Sequence, residues 1–313
     1  MIGGRLHAAG HTVVLVARGD HLDAIRARGL QLETPDGTEL HRIEAVGTIA
    51  EATPERDDVV LLAMKSQDTA AALDQLAAAA PPEVAVVSAQ NGVANELAAL
   101  RRFRAVYGMC VILPAHFTTP GVVHQFSAPA AGILDLGCFP RGVDERCEAI
   151  AADLRSASFG SVADPAIMAV KHRKLLMNLG NALDALCGWE ARGSSLFARA
   201  QEEAEACFAA AGIEVQSAED EQARRASGLH LLPAGGITHS GSSTRQSLQR
   251  GTGSVETDYL NGEIVLLGRL HGVATPVNEA LQRAAADAAR AGRDPDGVTV
   301  AQLEALADSL SER

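Results

Sequence analysis

Lys174, Asn178 and Asn181 stand at i, i+4 and i+7 within Lys171-His172-Arg173-Lys174-Leu175-Leu176-Met177-Asn178-Leu179-Gly180-Asn181. Helical spacing puts them on one face, so an ammonium and two amides share a stripe among apolar neighbours. Burying such groups without partners is costly, so the stripe faces a ligand, a polar network or water. The plainer alternative is an asparagine pair bonded to neighbouring helices, with Lys174 reaching out to solvent. Glu256 opens a further helical stretch after Gly251-Thr252-Gly253-Ser254. An acid in a first helical turn either answers the helix dipole or pairs with a lysine across a cleft. Close metal-ligand spacings such as H-E-x-x-H are absent, so no metal site is expected. Ser243 lacks the G-x-S-x-G frame of a serine hydrolase.

Three more polar side chains follow strand-like runs. Residues 13–17 are continuously apolar, as in a strand buried on both faces, and Arg18 comes immediately after them. In a doubly wound nucleotide-binding sheet the end of the second strand reads the adenosine ribose, with a cation where the 2′ position is phosphorylated. Arg18 therefore points to NADP(H); otherwise it is a solvated arginine at a strand end. Lys65 follows the strand-like run 58–63 and Asn91 the strand-like run 83–89. Ligands of open α/β sheets bind outside the carboxyl ends of strands, where both residues would lie. Asn91-Gly92 also reads as a turn.

These residues require a scaffold. With 313 residues and 47% hydrophobic content the chain has material for two domains. Residues 1–165 alternate strand-like and helix-like segments, the pattern of a parallel sheet wrapped by helices. Pro35-Asp36-Gly37-Thr38 marks a small hairpin, and runs 122–126 and 132–136 read as antiparallel strands finishing the sheet. In residues 166–313 the spacing predicts helices over 166–189, 196–211, 217–227, 255–271 and 276–291, an all-helical domain. The Gly, Ser and Thr-rich segment 235–253 reads as a flexible loop suited to holding a carboxylate or phosphate.

Composition excludes several classes of function. Twenty-seven basic against 39 acidic residues give a net charge of -12, with no broad cationic surface for nucleic acid or anionic lipid. One Trp, two Tyr and seven Phe leave few platforms for base stacking. Five cysteines without a C-x-x-C indicate neither a disulfide framework nor a thiolate zinc site, which fits a reducing cytoplasm. No apolar run has the length of a membrane span, and no secretory signal pattern is present.

Ile2-Gly3-Gly4, Gly10-His11 through Val16-Ala17-Arg18, Lys65, Gln90-Asn91-Gly92, Arg173-Lys174-Leu175 with Asn178, Ser242-Ser243 and residues 256–262 occur in one order and spacing. Taken together they resemble the ketopantoate reductase family (2-dehydropantoate 2-reductase), from Gly3 to about Ala286. The resemblance implies a Rossmann-type domain that binds NADPH and a helical domain, like that of 6-phosphogluconate dehydrogenase, closing over a small 2-oxo acid. It implies Lys174 as the general acid and Glu256 as the acid that holds the substrate hydroxyl. Asn178 and Ser243 match substrate-binding positions, with Asn181 as a partial substitute for a second amide. Arg18, Lys65 and Asn91 match cofactor contacts, and Gly3 and Gly4 the tail of the phosphate-binding turn or the helix behind it. The family also implies dimerisation through the helical domain.

Two departures lie on the substrate side. The family's second amide usually stands eight positions after the lysine, where this chain has Ala182, and Asn181 is turned from it by about 100°. The spacing from Ser243 to Glu256 is one residue longer than usual. Both leave room for a paralogue acting on another 2-oxo acid. At the front, the resemblance leads one to expect a buried strand and a G-x-G-x-x-G turn before the first helix. Neither precedes Ile2, and the expectation from this comparison is a start codon placed too far downstream. The alternative that goes with a missing turn is a non-catalytic or weakly NADP(H)-binding protein.

Overall fold

Short β-branched runs bounded by turns, alternating with helical stretches, build a layered first half in the computed structural model, which describes residues 1–226, 228–238, 241–251 and 253–311. The chain runs through α1 (Ile2–Ala8), β1 (Val14–Val16), α2 (Gly19–Arg28), the hairpin β2 (Leu30–Thr34) and β3 (Gly37–His41), β4 (Glu44–Val46) and α3 (Ile49–Ala52). Next come β5 (Val59–Leu62), α4 (Thr69–Ala79), β6 (Ala85–Ser88), α5 (Asn95–Leu100) and β7 (Ala105–Ile112). Four further strands, β8 (Ala115–Thr119), β9 (Val122–Gln125), β10 (Ser127–Pro129) and β11 (Ile133–Cys138), lead to α6 (Glu145–Ser156).

Strands β5, β6 and β7 are parallel, and β11 closes the edge antiparallel to β7, giving the order β11-β7-β6-β5. Every residue of β6 is buried, as expected of a parallel strand covered on both faces. β1 pairs in parallel with β4. No described strand bridges β1 and β5, and Val16 and Val59 on them are 48% and 40% exposed. The hairpin β2-β3 joins β9 and β8 in a separate sheet, order β3-β2-β9-β8. The run 122–126 thus does not finish the parallel sheet. That edge is taken by the six-pair ladder of β11, and Val123 packs instead with Leu22, Ile25, Leu30 and Leu32.

The second half holds α7 (Ile167–Asn178), α8 (Gly180–Cys187), α9 (Ser195–Ala211), α10 (Ala218–Ala226), β12 (Leu229–Leu231), α11 (Ser243–Gln249), α12 (Asn261–His271), α13 (Pro276–Arg290) and α14 (Val300–Ser311). Strand β12, antiparallel to β10, is the one described strand in this otherwise helical half. The helix expected over 166–189 is broken at Leu179, and that expected over 255–271 begins as a separate 3-10 turn, Glu256–Tyr259. The segment read as a flexible loop contains α11, capped by Ser242 Oγ accepting from Arg245 N at 3.2 Å. Ser227, His239, Ser240 and Thr252, all within segments read from the sequence, lie outside the described residues. No helix among the described residues is long and apolar enough to cross a membrane.

The feature that positions the site is the seat of α7. Gly108 of β7 and Gly137 of β11 are cross-strand partners, and together they leave a shallow place on the sheet. A Cβ on Gly137 would lie 2.0 Å from Asp164 O and 2.9 Å from Ile167 Cβ, and one on Gly108 3.2 Å from Met168 Sδ. Backbone at the entry to α7 therefore occupies the space a side chain would need. Gly137→Ala should destabilise the chain by about 1–3 kcal/mol or more, as overpacking does. Urea unfolding checks this, and an unchanged midpoint would show that α7 does not depend on the gap.

Candidate active site

From this seat α7 crosses the carboxyl ends of β6 and β7. Lys174 Nζ donates to Asn91 Oδ1 at 2.6 Å and to the Val111 carbonyl. Asn91 stands at the turn after β6, where Gly92 adopts φ +77 and a Cβ would come within 2.8 Å of Tyr259 O. Glycine is required there by both the left-handed backbone and the close approach. The amine is half-buried, and desolvation lowers its pKa from 10.5 to about 8. The positive charges of Lys171 and Arg225 add to this, while Cys110 and Glu256 oppose it. Asn178, one turn further along α7, lines the same small crevice with Asn91, Gly92, Lys171 and Lys174. Its Nδ2 is buried and has no hydrogen-bond partner.

Glu256 is buried, 7% exposed, at the start of its 3-10 turn. Its Oε1 accepts from Ser66 N at 2.9 Å and from Ser66 Oγ at 2.8 Å, so its direct partner is a serine rather than a lysine across the cleft. Neighbouring Lys65 donates to Ser247 Oγ of α11 at 2.6 Å. Burial, with the charge of Arg250, holds the Lys65 ammonium below its ordinary pKa. Residues after β5 and residues from the helical half thus meet beside the Asn91 turn, where Ser66 Oγ also donates to Asn91 O at 3.5 Å.

Other residues singled out from the sequence lie elsewhere. Asn181 follows the break at Leu179 and is buried, its Oδ1 accepting from Arg192 Nη1 at 3.2 Å; it does not line the crevice with Lys174. Ser243 is exposed in the first turn of α11, and its carbonyl accepts from Ser247 Oγ at 2.8 Å. Gly3 and Gly4 are inside α1, where a Cβ would come within 2.7 Å of Leu15 Cδ2 and 2.9 Å of Leu32 Cδ1 respectively. Their visible role is close packing of helix on strand. Arg18 lies just beyond β1 with its side chain 80% exposed, 4.0 Å from Asp68. Lys171, Glu96, Ser66 and Ser247 were not anticipated. Only Lys171 carried a signal, since it precedes Lys174 by three residues on the same helix face. Among the described residues no group of three or more His, Cys, Asp and Glu is placed to hold a metal ion.

Comparison with known proteins bears on this arrangement. Residues 1–141 match the family model described as ketopantoate reductase PanE/ApbA, and residues 166–288 match the model of its C-terminal region. The chain belongs to the ketopantoate reductase family. This is a family of oxidoreductases that use nicotinamide cofactors, and its architecture is a Rossmann-type domain with a helical partner. The 2-dehydropantoate 2-reductase of Halobacterium salinarum is 28% identical over 88% of this chain and 91% of its own. That of Archaeoglobus fulgidus is 27% identical over 90% and 91%. The match to the Pyrococcus horikoshii enzyme, at 29% identity, covers only 57% of this chain and 56% of that protein. Among solved structures, a ketopantoate reductase of this family from Ralstonia eutropha aligns over 99% of this chain and 95% of its own, at 26% identity and a TM-score of 0.74. A D-mandelate dehydrogenase solved with NADH and anilino(oxo)acetate shares the fold, at 20% identity and a TM-score of 0.76, covering 99% of this chain and 95% of that one.

The depressed Lys174 pKa has a consequence for stability. Below about pH 8 the amine is charged in both folded and unfolded chains, and the folded state bears the full cost of burying it. Between about pH 8 and 10.5 the folded chain gives up the proton first, so stability rises with pH. Relative to Lys174→Met, the wild type should gain about 3 kcal/mol across that window. Denaturant titrations of both proteins at pH 7 and 10.5 measure the difference, and a constant gap would mean that the amine titrates normally.

Proposed function

We propose that this chain reduces a small 2-oxo acid with NADPH, and that 2-dehydropantoate, reduced to pantoate, is its substrate. One observation carries the reading: Lys174 has two of its three N–H groups engaged by Asn91 and Val111, beside the unpartnered Nδ2 of Asn178. Unfilled donors on Lys174 and Asn178 suit the carbonyl and carboxylate oxygens of a 2-oxo acid.

NADPH, when bound, supplies a hydride to the C2 carbonyl carbon of the acid. The remaining ammonium N–H of Lys174 hydrogen-bonds the carbonyl oxygen, stabilises the charge that develops there and passes it the proton. An acid of pKa about 8 is matched to proton transfer near neutral pH. Asn91 aims the amine, and Asn178 Nδ2 donates to a second substrate oxygen. Glu256, steadied by Ser66, accepts from the substrate hydroxyl. Asn181 and Ser243 would have to leave their present settings to touch the substrate, so recognition rests first on Asn178. The residues also suit an anionic dinucleotide. Arg18, Lys65 and Asn91 stand just beyond β1, β5 and β6, at the carboxyl ends where such ligands bind, and the open guanidinium of Arg18 suits a 2′-phosphate.

The placement of Asn181 outside the crevice favours one other reading, a paralogue that reduces a different 2-oxo acid by the same chemistry. Steady-state rates on a panel of 2-oxo acids separate the two. 2-Dehydropantoate should lead, and a preference of about tenfold for another acid, about 1.4 kcal/mol in transition-state binding, would reverse the assignment.

Lys174→Ala should lower turnover by about 10²- to 10⁴-fold while leaving NADPH binding little changed. The wild-type reduction rate should be level below about pH 8 and decline above it, because the acid must carry its proton. Retained turnover in Lys174→Ala, or a rate that climbs through pH 9, would remove Lys174 from the mechanism.

A further inference from the structure

Lys171 lies one helical turn before Lys174 and repeats its contacts one step deeper. Its Nζ is 2.6 Å from Glu96 Oε1 and donates to the carbonyls of Gln90 at 3.0 Å and Met109 at 3.1 Å. Lys174 engages positions further along the same two chain segments, Asn91 Oδ1 one residue on and Val111 O two residues on. An ammonium has three donors. Lys171 donates to two carbonyls and has the Glu96 carboxylate beside it as an ion-pair partner, whereas Lys174 has two neutral acceptors. The side chains of Lys171 and Glu96 are 3% and 0% exposed, and the pair ties α5 of the first half to α7 of the second. No step assigned to Lys174 uses either residue.

We propose that Lys171 and Glu96 form a positioning pair that fixes the turn after β6 and the end of β7 against α7, so that Asn91 and Val111 hold Lys174 in its reactive orientation. The inference rests on the reading of Lys174 as the acid. Gln90, whose carbonyl Lys171 holds, is bonded to Asn91, so movement of one moves the other. Met109 and Val111 alternate along one face of β7 and move together in the same way.

The pair also fixes charge. Lys174 is faced by Cys110 from β7, Arg225 from α10, Glu256 from the 3-10 turn and Lys171 from its own helix. Glu96 balances Lys171. Glu263 of α12 is also within reach of Glu96, and burial together with the Glu96 charge pushes its carboxyl above the ordinary range. Neutralising Glu96 alone therefore leaves the Lys171 charge uncompensated beside Lys174 and makes Lys174 lose its proton at lower pH. Neutralising both removes the grip without leaving a lone buried charge.

The full chain carrying Glu96→Gln, and the double variant Lys171→Met/Glu96→Gln, test this by two measurements. The first is the pH dependence of Lys174 acetylation by acetic anhydride, read by peptide mass spectrometry, which needs no substrate. Glu96→Gln should move the midpoint down by about half a pH unit or more. The second is turnover of 2-dehydropantoate with NADPH. The double variant should lose about tenfold or more in kcat, with NADPH affinity held within about twofold, because misplacement of a reacting group acts on the chemical step. An unmoved midpoint in Glu96→Gln, or wild-type kcat in the double variant, overturns the proposal. Should the double variant not fold, the midpoint in Glu96→Gln decides, since glutamine keeps the shape and one acceptor. Full turnover in Lys174→Ala would sink the acid assignment itself. An inactive Lys174→Ala beside wild-type behaviour of the pair variants would sink only the positioning role.

Discussion

The contact of Lys174 Nζ with Asn91 Oδ1 and the Val111 carbonyl sets the demands that the surrounding structure meets. An ammonium drawn out of water loses hydration that neutral acceptors only partly replace, so its position must be enforced by packing. Here the enforcement is steric. Glycines face each other on β7 and β11, the entry to α7 lies on them, and the helix is carried across the ends of β6 and β7 at the distance a lysine can span. The left-handed turn at Gly92 then presents Asn91 toward the helix.

Charge is distributed unevenly around this contact. The deeper lysine, Lys171, has a carboxylate at 2.6 Å and shows that the same helix face can hold a neutralised ammonium in the interior. Lys174 and Lys65 have no such close counter-charge among the described residues, and burial depresses the pKa of both. Cations at the carboxyl ends of the strands, in a chain of net charge -12, concentrate positive potential on that side of the sheet. Glu256 moderates that potential and is itself held by two hydrogen bonds from Ser66.

Much of the site was readable from local patterns. Lys174 and Asn178 are four residues apart in a helix, and that spacing alone puts them on one face. Lys65 and Asn91 were placed by the rule that ligands gather at the carboxyl ends of parallel strands. Asn181 was misplaced because the helical pattern continues through Leu179, whose φ -57 and ψ -30 are themselves helical. In the window 174–181 only Gly180 hints at a break, and a lone glycine is tolerated inside a helix. The carbonyls near it are taken by distant donors, Met177 O by Arg192 Nη2 at 2.6 Å and Leu179 O by Asn261 Nδ2 at 3.2 Å.

The sequence by itself determined the alternation of strand and helix in the first half, the predominance of helix in the second and the resemblance that led to the family, because apolar periodicity and short motifs act over a few residues. The tertiary structure alone decided that β9 joins the hairpin sheet, that Glu256 answers Ser66 across 190 positions of chain, and that Lys171 pairs with Glu96. Those outcomes depend on which surfaces remain uncovered once the elements have packed. A pairing between residues far apart in the chain is set by the space and the unfilled hydrogen bonds that packing leaves, and neither is written in any local window.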